Sequence, residues 1–283
     1  MVGKNLSLSK IFALIVFITA SAFCLNISAQ TKTKQHKKTT AVNHTAPAFR
    51  FRTIIIDAGH GGKDPGAHGV YSKEKNVALA IAKKLRTSIN KQLPSINTVM
   101  TRSTDEFIEL HRRDDIASEH KGNLFISIHC NASPTKVSDE RGVLLLVYGY
   151  HRKEEQLEAL RENSSIFIEK NYKTQYSGYG QNSTINTIVL SNYQQKYRKE
   201  CIRFADLVNN EFKTVDGRHS LGVKEQGVLV LQQSAMPAVL VETGFINNPK
   251  DEAYLNSEDG QYAIVHSIVR AIKKYKASFE EQK

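Results

Sequence analysis

Two histidines and two glutamates stand where this chain could do chemistry. His60 lies in the run Ile56-Asp57-Ala58-Gly59-His60-Gly61-Gly62-Lys63-Asp64-Pro65-Gly66-Ala67, directly after three consecutive β-branched residues. His129 follows Leu124-Phe125-Ile126-Ser127-Ile128, Glu242 follows Ala238-Val239-Leu240-Val241, and Glu74 opens a stretch with helical spacing. Neutral imidazoles and a carboxylate are the ligand set of hydrolytic zinc, where three protein ligands leave a position for water. His60, Glu74 and His129 make such a set, and Glu242 could be the non-ligating carboxylate that takes a proton from the water. Spacing alone leaves other readings open. A histidine after a strand can be structural, Glu74 could serve the helix dipole, and Glu242 could be a buried structural acid. Against these stands the desolvation cost of acids and imidazoles at the ends of buried strands, which falls when they are paired or coordinated. Neither an H-E-x-x-H helix nor the spacing of a phosphate-binding loop is present.

The elements that must carry these residues follow from periodicity. Thr53–Ile56, Asn97–Thr101, Leu124–Ile128, Gly142–Tyr148, Val228–Leu231 and Ala238–Val241 read as strands. Val77, Ala78, Ile81, Leu85 and Ile89 mark a helix, Leu110–His120 a second, and Gln261–Lys276 a last one with Tyr262, Val265, Ile268, Val269 and Ile272 on its apolar side. Two more helices are predicted over Glu154–Lys170 and Tyr193–Lys213, with the polar stretch Gln175–Thr187 between them. The alternation predicts an α/β fold, a mostly parallel twisted sheet with helices on both faces. A single catalytic domain over residues 51–278, carrying a helical insert at about 150–220, accounts for the pattern. In open sheets of this kind ligands bind outside the carboxyl ends of the strands, which is where both histidines and Glu242 fall.

The net charge of +11 is unevenly placed, with Lys32, Lys34, Lys37 and Lys38 in one short tract. Residues 30–50 have no apolar period and read as a basic, disordered linker, and no nucleic-acid-binding signature appears elsewhere. Residues 1–29 read as a signal peptide: Lys4 and Lys10, an apolar core from Ile11 to Phe23, and small residues Ser28-Ala29 before Gln30. Bulky Phe23 before Cys24 argues against lipidation. The mature protein is therefore expected to be exported, most naturally to a periplasm, with the extracellular space as the alternative, and with no membrane span after cleavage. Cys130 and Cys201 read as small buried hydrophobes.

The glycine-rich run resembles the opening motif of the zinc-dependent N-acetylmuramoyl-L-alanine amidases of the AmiC-like, amidase-3 type. So do Lys73–Ala82, Thr101-Arg102-Ser103-Thr104-Asp105, Leu110 with Arg113, Ile116 and Ala117, Leu124–Ala132, Arg141-Gly142-Val143 and Met236–Pro249. Ala58 stands where proline is usual and Cys130 where alanine is usual. The resemblance implies zinc held by His60, Glu74 and His129, Glu242 as the catalytic glutamate, and peptidoglycan as substrate. It implies cleavage of the amide between N-acetylmuramic acid and L-alanine, in wall remodelling and daughter-cell separation. An exported zinc peptidase and a non-catalytic wall-binding regulator are the alternatives.

The resemblance also singles out Arg161-Glu162-Asn163-Ser164-Ser165, since in these amidases a helix of this region can cover the site and place a glutamate on the zinc. That makes Glu162 a regulatory zinc ligand and implies an activator protein that relieves the insert. Helical spacing argues the other way. Leu157, Leu160, Phe167 and Ile168 form an apolar stripe, with Glu158, Glu162 and Glu169 off it as a solvated face would be.

Overall fold

A computed structural model describes residues 51–149, 156–176 and 184–280. The expected signal peptide, the linker, the start of the Glu154 helix and residues 177–183 lie outside the described residues. The chain divides into two units, Met1–Ala48 and Phe49–Lys283, and the second is described here.

Six strands form one sheet: β1 (Thr53–Ala58), β2 (Asn97–Met100), β3 (Leu124–Asn131), β4 (Val143–Tyr148), β5 (Ser220–Gln226) and β6 (Ala238–Phe245), in the order β2-β1-β3-β6-β4-β5. The β2, β1, β3 and β6 strands are parallel neighbours, β4 runs antiparallel to β6, and β5 is parallel to β4. Every residue of β1, β3, β4 and β6 is buried. Strands covered on both faces read as continuous apolar runs, and these four were legible for that reason.

Around the sheet lie α1 (Glu74–Gln92), α2 (Leu110–Glu119), α3 (Leu157–Asn163), α4 (Tyr172–Gln175), α5 (Thr184–Thr214), α6 (Leu229–Gln232), α7 (Pro249–Asn256) and α8 (Glu258–Glu280). One sheet face packs Ile54, Ile56, Ile126, Ile128 and Val241 against α1, α5 and α8 through Val77, Ile81, Leu85, Phe204, Val208, Ile268 and Ile272. The other packs Ile55, Phe125, Leu144, Leu146 and Leu240 against Ala117 of α2, Ala159 of α3 and Val230 and Leu231 of α6. The layered α/β expectation therefore stands.

Three local expectations do not. Val228–Leu231 is buried but contributes to the short helix α6, and the strand at this end of the sheet is the preceding Ser220–Gln226. The expected helix over Glu154–Lys170 is a two-turn α3 that tightens into a 3-10 turn at Ser164–Ile168. Tyr262, expected on the apolar side of the last helix, is 42% exposed. Cys130 is buried and Cys201 half-buried; both are free.

Candidate metal centre

The parallel half of the sheet delivers three of the predicted residues to one point. His129 and Glu242 are register partners on the adjacent strands β3 and β6. The β3–β6 register then shifts between His129 and Asn131, and such bulges re-aim side chains beside functional sites. His60 sits just past β1 with φ at +58°, followed by Gly61 and Gly62, also at positive φ. Two glycines make the room. A Cβ on Gly59 would stand 2.4 Å from the His129 ring, and one on Gly66 would stand 2.7 Å from Glu74 Oε2.

Glu74 is the first residue of α1, but its carboxylate is held by more than the helix dipole. Oε1 accepts from Cys130 N at 2.9 Å and Oε2 from Ala67 N at 2.8 Å. The same oxygens approach His129 Nδ1 at 3.1 Å and His60 Nε2 at 3.0 Å. From α3, Glu162 Oε2 lies 2.7 Å from His129 Nδ1 and 3.5 Å from His60 Nε2. The donor atoms of His60, Glu74, His129 and Glu162 all fall within 4.8 Å of one another.

These residues fit a divalent zinc. Ligand bonds of 2.0–2.2 Å in a tetrahedron put neighbouring donors roughly 3.3 Å apart, and the four approaches of 2.7–3.5 Å bracket that value. His60 Nε2 and Glu162 Oε2 are buried without a hydrogen-bond partner among the described residues. His60 Nδ1 meets Asp64 Oδ2 at 2.8 Å, the outer carboxylate that typically orients a metal-binding imidazole. The field also suits a cation. Burial alone would lower the pKa of both imidazoles, yet Glu74 raises His60 well above its ordinary value and Glu162 raises His129 to about 9. Glu162 is itself held well below the carboxylate range against its burial, by His129 and Arg161.

Glu242 stands beside this cluster, fully buried. Burial pushes its carboxyl up to about 8, opposed first by Arg161. Arg161 is the bridge. Its guanidinium donates to Glu162 Oε1 at 2.6 and 3.0 Å and to Glu242 Oε1 at 2.7 Å. It also donates to Asn131 Oδ1 at 2.5 Å and to the Ala132 carbonyl at 3.0 Å.

The solvated face expected for Glu162 is overturned. Glu162 is 4% exposed, whereas Leu157, Leu160 and Phe167 are 67%, 63% and 66% exposed. Ion pairing explains the inversion, since Glu162 gains both histidines and Arg161 on the inner side. Asn163 fixes the same orientation, donating to the Gly227 carbonyl and accepting from Leu229 N.

Sequence reasoning missed Asp64 and the bridging role of Arg161. Asp64 carried a signal, a carboxylate four residues after His60 inside a glycine loop. Arg161 carried none, because the groups it joins to Glu162, on Asn131, Ala132 and Glu242, lie far away in the chain.

Residues 54–274 match the N-acetylmuramoyl-L-alanine amidase family of the Amidase_3 type. The amidase AmiA of Escherichia coli K12 is 29% identical over 93% of this chain and 91% of its own length. Amidase AmiC2 of Nostoc punctiforme has a solved structure that superposes with a TM-score of 0.55, at 28% identity over 79% of this chain and 96% of its own. The CwlD amidase of Clostridioides difficile, solved in complex with the GerS lipoprotein, superposes with a TM-score of 0.59, at 25% identity over 80% and 99%. With that match spanning the whole sheet and the four-residue cluster, this chain belongs to the N-acetylmuramoyl-L-alanine amidase family.

Proposed function

We propose that the chain is an exported, zinc-dependent peptidoglycan hydrolase that cleaves the amide between N-acetylmuramic acid and L-alanine of the stem peptide. In this reading it acts in wall remodelling and daughter-cell separation. One observation carries the reading: a buried His60–Glu74–His129 set lies beside a buried Glu242 at the carboxyl ends of adjacent central strands.

His60, Glu74 and His129 would hold the metal. Zinc bound there supplies a lowered pKa for water and polarisation of the amide carbonyl. The chain's own residues do the rest. Asp64 fixes the His60 ring so that Nε2 faces the cluster. Glu242 takes a proton from the attacking water and returns it to the alanine nitrogen as the C–N bond breaks. The low-dielectric surroundings of Glu242 make its ionised form a stronger base than an exposed carboxylate. No covalent enzyme intermediate is needed.

The insert closes this site. Glu162, 2.7 Å from His129, would take the ligand position left for water, and Arg161 pairs with Glu242, so in this reading α3 withholds both the water position and the base. An activator protein that lifts α3 would release both. In this reading the amino-terminal 29 residues direct export to the periplasm; among the described residues no helix is long and apolar enough to cross a membrane.

The test is a digest of purified sacculi with and without chelator, the products read by mass. Free stem peptides with intact glycan strands, lost on chelation, support the reading. Cleavage within peptides points to a peptidase, and binding without products to a wall-binding regulator.

A further inference from the structure

His60 is held in a left-handed backbone conformation at φ +58°, which an L-residue keeps only when its surroundings over-determine it. Two arginines from distant parts of the chain do so. Arg102 follows β2 and Arg113 lies on α2; each is 2% exposed. Arg113 donates through Nη1 to Asp57 Oδ1 at 2.7 Å and the Ala58 carbonyl at 2.8 Å, and through Nη2 to the His60 carbonyl at 2.8 Å. Its Nε reaches the Ile108 carbonyl at 3.1 Å. Arg102 donates through Nε to the Ala58 carbonyl at 2.8 Å and through Nη2 to the Gly59 carbonyl at 2.6 Å. The same Nη2 reaches the Lys75 carbonyl, next to Glu74, at 2.9 Å, and Nη1 the Thr104 carbonyl at 3.1 Å.

Three consecutive carbonyls, of Ala58, Gly59 and His60, are thus captured by two buried guanidinium forks. Arg113 pairs with the buried carboxylate of Asp57, whereas every hydrogen bond given by Arg102 goes to a backbone carbonyl, so the loop backbone does much of the work of stabilising these two buried cations. A loop of glycines has no side-chain packing of its own to fix its path. The forks supply it.

We propose that Arg102 and Arg113 are positioning residues for the metal centre: they clamp the His60 loop, and through Lys75 the start of α1, so that His60 Nε2 and Glu74 Oε2 are held at ligand spacing before a divalent cation arrives. The proposal rests on the zinc reading above. Lysine keeps the charge but not the planar fork, so Arg113→Lys and Arg102→Lys separate geometry from electrostatics. Ile272→Ala is the control. It removes core volume at the end of α8 where Lys273 meets Gln92, the far end of α1 from Glu74.

The experiment measures the zinc dissociation constant of each purified protein by chelator competition, the visible spectrum of its cobalt(II) form, and its melting temperature. Both lysine variants should bind zinc about 10- to 100-fold more weakly, as loss of outer support typically does, with an altered cobalt spectrum. The control should lose melting temperature and keep wild-type affinity. If Arg113→Lys does not fold, Arg102→Lys, which leaves the Asp57–Arg113 pair intact, decides. Wild-type affinity in the lysine variants, or equal weakening in the control, overturns this inference alone. A wild-type protein that holds no zinc overturns the metal reading and this inference with it.

Discussion

Removing the Glu162 carboxylate should raise the basal rate. Of its contacts, those to Arg161 stay within α3 and do not resist opening. The tie that Glu162 itself makes to the body is Oε2 to His129 Nδ1 at 2.7 Å, with His60 Nε2 farther off at 3.5 Å. A charge-assisted contact of this kind contributes about 1.5–3 kcal/mol net. At about 1.4 kcal/mol per tenfold, Glu162→Ala should shift the balance between covered and open site by roughly 10- to 150-fold. The basal rate should rise by the same factor until the open form predominates, and stimulation by an activator should shrink in proportion, since both draw on one equilibrium. Arg161 would still hold Glu242 in this variant, which keeps the gain toward the lower end. Dye release from labelled sacculi, compared at equal zinc occupancy, measures it. Equal rates, or a slower variant, would refute Glu162 as the residue that closes the site.

Four further outcomes follow from the same geometry. His60→Ala and His129→Ala should each lose zinc or hold it far more weakly, as metal analysis of the purified variants would show; full occupancy in both removes the ligand assignment. Glu242→Gln should fold and retain zinc while turnover on solubilised peptidoglycan falls about 10²–10⁴-fold; near-normal turnover would place the base elsewhere. Burial pushes the Asp57 carboxyl up, but Arg113, Ser127 and Thr101 outweigh it and hold its pKa below the ordinary carboxylate value. Its stabilisation is therefore complete above the unfolded value of about 3.9 and is lost as pH falls through the folded value. Asp57→Asn, which strands Arg113, should cost about 3–5 kcal/mol at pH 7, and its gap to wild type in urea midpoint should narrow below pH 4; a constant gap would contradict the pairing. Deleting residues 30–48 should leave the melting temperature unchanged, because that tract has no apolar face to bury, and among the described residues the aromatic packing at this end begins with Phe51 against Tyr275 and Phe279.

What could be read from the sequence was set by burial and by partner distance. Continuous apolar runs marked β1, β3, β4 and β6, and the polar residues that ended them became the site. The run Val228–Leu231 is equally apolar, and a short buried run does not distinguish strand from helix by period. The true edge strand, Ser220–Gln226, carries Gly222, Lys224 and Glu225 and is only half-buried, so it offered neither an apolar run nor clean alternation. Glu162 is the instructive case. Helical spacing assigned it to water, and only partners more than thirty residues away in sequence, His129 and His60, turn the helix over. Patterns local in sequence register periodicity; they do not register which distant charge a carboxylate will meet.

The mixed direction of the sheet bears on how such a protein can change over generations. His60, Glu74, His129 and Glu242 all come from the parallel strands and their connections, whereas Arg161 and Glu162 come from the crossover between β4 and β5, the pair that runs the other way. Within that crossover α5 stays packed on the sheet, but the α3 segment can acquire new outward residues while every hydrogen-bonded strand keeps its neighbour. On the function proposed above, mutation can therefore rewrite control in one half of the molecule without passing through forms that have lost the chemistry in the other.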